Sequence, residues 1–67
     1  MNINLEYYKV FYNVAKLGSI SAAANSLFIS QPAVSQAVRQ LEQSLGVKLF
    51  LRSARGVKLT EEGKTLA

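Results

Sequence analysis

Pro32, Ser35, Gln36, Arg39, Gln40 and Gln43 recur at helical spacing, and Ser30 and Gln31 stand at the start of the same run. On a helix these positions form one polar strip. A glutamine amide sets a donor beside an acceptor in one plane, which matches the N6 and N7 edge of adenine, so Gln31 and Gln36 are candidates for reading a base. Ser35 is shorter and suits a phosphate oxygen. Arg39, further along, suits phosphate or guanine, and Ser30 combines a hydroxyl with first-turn N–H groups that favour an anion. The strip holds no acid. A helix that needs only solubility is better served by mixed Glu and Lys, so the set points to a polyanion more strongly than any member alone. The plain alternative, a solvated side chain, stays open for each residue singly, most of all for Gln40 and Gln43.

The elements that must position this strip follow from periodicity and punctuation. Ser21 before Ala22-Ala23-Ala24 and Ser30 before Gln31-Pro32 are suitable helix caps. The link between the two helices runs through Phe28 and Ile29, too apolar for a flexible loop and too short for a third element. This is helix-turn-helix spacing. The helix from Ser30 or Gln31 to about Leu45 places Val34, Val38, Leu41 and Leu45 toward a core, with Pro32 tolerated in its first turn and Gly46 as its stop. The shorter helix, about Ala22 to Phe28, packs closely through its alanines. An earlier helix, about Leu5 to Lys16, is capped by Asn4 and stopped by Gly18. Its polar residues Glu6, Lys9, Asn13 and Lys16 occupy about 80° of arc, leaving an apolar surplus in which Tyr7, Val10 and Val14 are expected to pack on a further element.

After Gly46 the period changes to alternation from Val47 to Arg52, then Ser53-Ala54-Arg55-Gly56 precedes Val57-Lys58-Leu59. The pattern predicts a hairpin, or wing, resting on the helices through Phe50 and Leu59. Arg55 at its tip suits a narrow minor groove, and Arg52 and Ser53 suit nearby phosphates. Thr60 caps a last helix opened by Glu61 and Glu62 and expected to continue beyond Ala67. The fold class is therefore mainly α with a small β-hairpin.

Composition narrows the function classes. The chain has 67 residues, no cysteine, no histidine and a net charge of +4. Disulfides, zinc fingers and imidazole or thiol catalysis are excluded, and there is no room for an enzyme's pocket. No signal core or membrane-length apolar run is present, which points to a cytoplasmic protein without a membrane partner. Residues 39–58 carry Arg39, Lys48, Arg52, Arg55 and Lys58 against Glu42 alone. That basic segment fits a polyanion.

The run AAANSLFISQPAVSQAVRQLEQSLGVKLFLRSARGVKLTEEGK resembles the N-terminal DNA-binding domain of LysR-type transcriptional regulators. The likeness is carried by Ala23-Ala24 with Leu27, the Ser30 to Ser35 segment, Gln40-Leu41-Glu42, Leu45-Gly46, Leu49-Phe50, Arg52, and Leu59-Thr60 with Gly63. The resemblance implies a winged helix-turn-helix with a three-helix core, a two-stranded wing and the start of a linker helix. It divides the chain into a DNA-binding domain over 1–59, with the helix-turn-helix at about 20–45 and the wing at about 47–59, and a dimerisation helix beginning at 60–67. It implies DNA contacts at Gln31, Pro32, Ser35, Gln36 and Arg55, and the first helix packed on the linker helix. Many members carry arginine where this chain has Gln36, so a guanine or phosphate contact does not carry over there. No cofactor is expected in this domain. A small-molecule effector is expected for a C-terminal domain absent from this chain. The expected function is sequence-specific binding of double-stranded DNA by a bacterial regulator, as a homodimer or higher oligomer on an interrupted inverted repeat. The alternative is a winged-helix module that binds protein.

Overall fold

A computed structural model describes residues 4–54 and 56–67 of the chain. The elements run α1 (Leu5–Leu17), α2 (Ile20–Leu27), α3 (Gln31–Leu45), β1 (Phe50–Ser53), β2 (Gly56–Leu59) and α4 (Glu61–Leu66). Every helix opens on a short polar side chain that accepts from a first-turn N–H: Asn4, Ser19, Ser30 and Thr60. Such caps satisfy donors that have no helical partner, and each contributes about 1 kcal/mol. Gly18 and Gly46 then close α1 and α3 in the left-handed conformation.

The three long helices meet around Phe11 and Val14 of α1, Ala23 and Ala24 of α2, and Val34, Val38 and Leu41 of α3, all buried. The two alanines let α2 lie close against its neighbours, as small side chains at a helix contact do. β1 and β2 pair antiparallel, with Phe50 opposite Leu59 and Ser53 opposite Gly56. A two-stranded hairpin is barely stable alone, so its anchor matters. The ring of Phe50 packs on Phe11 with centroids 5.2 Å apart, and Leu49 beside it is fully buried. The start of α4 is tied to the same place. Thr60 N–H donates to the Leu49 carbonyl at 3.0 Å, and its hydroxyl donates to the Lys48 carbonyl at 2.7 Å.

Several expectations are corrected. The cap of α2 is Ser19, not Ser21, because the helix takes in Ile20, which packs against the core. Its end is Leu27, not Phe28, which sits beyond it with φ +59 and 94 % of its surface exposed. On α1 the three residues expected as surplus are partly or fully covered within this chain. Val14 is fully buried within this chain, and Tyr7 and Val10 are half-buried against the core. At about 100° per residue these three share one arc with Phe11, so they turn inward together. The apolar side chains left outside are Leu5, Tyr12 and Leu17. In the wing, strand pairing starts only at Phe50, and Leu51 faces solvent. Leu49 and Phe50 are buried in succession because the segment entering β1 is not yet in the ladder and need not alternate.

Two substitutions test this packing. Phe28→Gly keeps the left-handed conformation but relieves its cost, about 1–2 kcal/mol for a residue with a Cβ, while exposing nothing new. The urea midpoint should rise, and a fall would contradict the strained geometry. Gly63→Ala should lower stability by about 1–3 kcal/mol despite alanine's better helix propensity. A Cβ there would collide with the Leu49 carbonyl, which α4 approaches too closely for any side chain.

Candidate nucleic-acid interface

The α3 helix has two unlike sides. Val34, Ala37, Val38 and Leu41 face inward, and Gln31, Pro32, Gln36, Arg39, Gln40 and Gln43 are exposed. Ser35 is half-buried at the boundary between them. Ser30 caps the helix, its hydroxyl accepting from Ala33 N–H at 3.2 Å, and Pro32 occupies the first turn where its missing N–H costs nothing. The candidate strip is thus held by a core-facing row on one helix, which fixes its side chains more firmly than a loop would.

Gln31 has a partner within the chain. Its Nε2 donates to the Ser21 hydroxyl at 3.4 Å, a bridge between the opening turns of α2 and α3.

On the wing, Arg52 and Ser53 are exposed, and the Ser53 hydroxyl donates to the Gly56 carbonyl at 3.4 Å. Arg55 lies outside the described residues. The structure brings Arg39 and Arg52 onto a single open cleft between α3 and the hairpin, where Lys48 joins them. Lys48 belongs to no pattern on α3. Its place follows from the path between Gly46 and β1, which carries it to the mouth of the cleft.

Glu42, the one acid of the basic segment, lines that cleft too, yet its carboxylate is directed at backbone. Its Oε2 accepts from Leu49 N–H at 2.8 Å and from Phe50 N–H at 3.4 Å. Among the described residues the one ion pair is Lys64 with Glu61. Arg39, Lys48 and Arg52 are therefore not neutralised by contact with an acid, and the cleft keeps a positive balance. Sequence reasoning passed over Glu42 as a site residue. The available signal was its isolation: one acid amid five cations, inside the Gln40-Leu41-Glu42 segment.

Three helices carrying a hairpin, with the third helix exposing its polar side next to that hairpin, define a winged helix-turn-helix domain. Residues 5–64 match the model of bacterial regulatory helix-turn-helix proteins of the lysR family, and the chain belongs to that family. It is 47 % identical over 64 residues to the RuBisCO operon transcriptional regulator of Allochromatium vinosum, covering 96 % of this chain and 21 % of that protein. The chain thus spans about a fifth of the length of that regulator. Among solved structures, a complex of the CbnR DNA-binding domain with DNA superimposes with a TM-score of 0.91 at 40 % identity, over 94 % of this chain and 72 % of that one. The BenM DNA-binding domain bound to a catB site is similar, with a TM-score of 0.90 at 36 % identity over 96 % and 71 % of the two chains.

Removing the Glu42 carboxylate should release the wing from α3. Leaving buried N–H donors without an acceptor costs about 1–3 kcal/mol, so Glu42→Ala should lower stability by that order and Glu42→Gln by less. Amide exchange separates the two levels of damage: Leu49 N–H should exchange much faster in Glu42→Ala, while Leu41 N–H follows global unfolding alone. Equal acceleration at both would remove the carboxylate from this role.

Proposed function

We propose that this chain is the DNA-reading part of a bacterial transcription regulator, with α3 in the major groove and the wing against the minor groove. The observation that carries the reading is the exposed, acid-free face of α3 set beside a cleft bearing Arg39, Lys48 and Arg52. In this arrangement Gln31 and Gln36 read base edges, while Ser30, Ser35, Arg39, Arg52 and Ser53 hold phosphates. Pro32 lies against the groove wall, and Arg55 enters the minor groove. Two copies grip an interrupted inverted repeat, and Leu5 and Tyr12, left exposed on α1, supply apolar surface for the pairing. The solved CbnR and BenM complexes, each a similar domain on DNA, support the reading.

Selection of bound sequences from random duplex DNA tests it directly. The expected outcome is a pair of related half-sites spaced about one helical turn or more apart. Affinity for the selected duplex should fall steeply with salt, the slope of log K against log salt growing by about 0.9 for each phosphate neutralised. A chain that enriches no sequence, or whose complexes with a protein partner ignore salt, would be a protein-binding winged helix instead. Within the selected site, Gln31→Ala should cost about 1–3 kcal/mol and relax preference at one base, whereas Arg39→Ala should weaken all duplexes alike and reduce the salt slope by about 1.

A further inference from the structure

We propose that Ser21 is a positioning residue that presets the Gln31 amide for base reading, an inference that rests on the DNA-binding function proposed above. The hydroxyl of Ser21 is not needed where a serine is usually spent. Ser19 already caps α2, accepting from Ala22 N–H at 3.1 Å, and leaves Ser21 exposed within the first turn. From there it faces the first residue of α3, ten positions on in the chain, and accepts from Gln31 Nε2 at 3.4 Å.

An exposed glutamine has several rotatable bonds, and ordering them against a base subtracts from affinity. The contact with Ser21 engages one N–H of the amide. One N–H and the Oε1 remain, which is the donor and acceptor pair that an adenine edge requires. The bridge therefore orders the reading group before DNA arrives without using up its reading face. It also couples the two helices of the motif at the end nearest the groove, where a small rotation of α3 would move Gln31 most.

Ser21→Ala, Ser21→Thr, Gln31→Ala and the double variant Ser21→Ala with Gln31→Ala form the test. Alanine at an exposed helical position favours folding, so loss of structure will not mask the result. Two measurements are made. In the DNA-free chain, 15N relaxation of the Gln31 side-chain amide should show it ordered, freed by Ser21→Ala, and restored by Ser21→Thr. On the duplex selected from random DNA, Ser21→Ala should weaken binding about three- to tenfold and lower discrimination at the same base as Gln31→Ala, with unrelated duplex unaffected. In the double variant, Ser21→Ala should add nothing to Gln31→Ala.

Additive losses, a uniform weakening on all duplexes with a smaller salt slope, or no loss at all would overturn the assignment, the uniform loss marking Ser21 as a plain phosphate contact. A Gln31 amide equally mobile in the unmodified chain and in Ser21→Ala would overturn it without DNA. An unmodified chain that selects no duplex would instead overturn the proposed function, leaving the relaxation measurement to decide the bridge.

Discussion

The relative placement of recognition helix and wing hangs on one carboxylate. Glu42 leaves α3 half-buried and accepts from the backbone of Leu49 and Phe50, the two residues at which the chain turns into the hairpin. Hydrogen bonds to a charged acceptor are stronger and shorter than neutral ones, and here they join elements that the chain itself connects only through Gly46, Val47, Lys48 and Leu49. Everything on the wing inherits that anchor. Phe50 reaches Phe11, Leu49 closes the base of the core, and Thr60 returns to the Leu49 and Lys48 carbonyls to start α4. A protein of 67 residues without disulfides has little apolar area to spend on such joints, so directional bonds carry a larger share of its geometry.

The same economy shapes the polar surface. An acid in the middle of a basic segment would ordinarily weaken attraction for a polyanion. Glu42 keeps its charge, but its oxygen is committed to backbone donors, and among the described residues Arg39, Lys48 and Arg52 have no acid in ion-pair contact around the cleft. Structural and electrostatic demands are met by neighbouring residues pointing different ways, a separation that the helical period makes possible within a few positions.

Most of the helical framework was legible in the sequence because caps, stops and apolar rows agreed with one another. Asn4 with Gly18 and Ser30 with Gly46 bracket α1 and α3 as expected, and Thr60 begins α4. At the start of α2 the sequence placed the cap at Ser21. Ser19 and Ser21 are both good caps, and the choice between them rests on burial of Ile20, a tertiary fact. On α1 the polar stripe was identified, but the rest of the circumference is apolar almost throughout, so the pattern alone does not show which side of that arc meets α3. Strand alternation misled at Leu49 and Phe50, where burial comes from the approach to the hairpin and not from its pleat. The exposed strip on α3 was readable from spacing alone. The Gln31–Ser21 bridge and the role of Glu42 were not, since each depends on a contact between segments whose separation in space no local pattern encodes.

The cross-section of α3 carries an implication for how such a domain changes over time. Gln36, Gln40 and Gln43 are exposed, so replacing them changes folding stability little. Ser35, half-buried at the seam, tolerates only small replacements. A lineage built on this scaffold is thus free to vary the exposed edge of the helix while the buried seam stays fixed, which separates change at the surface from the maintenance of the fold.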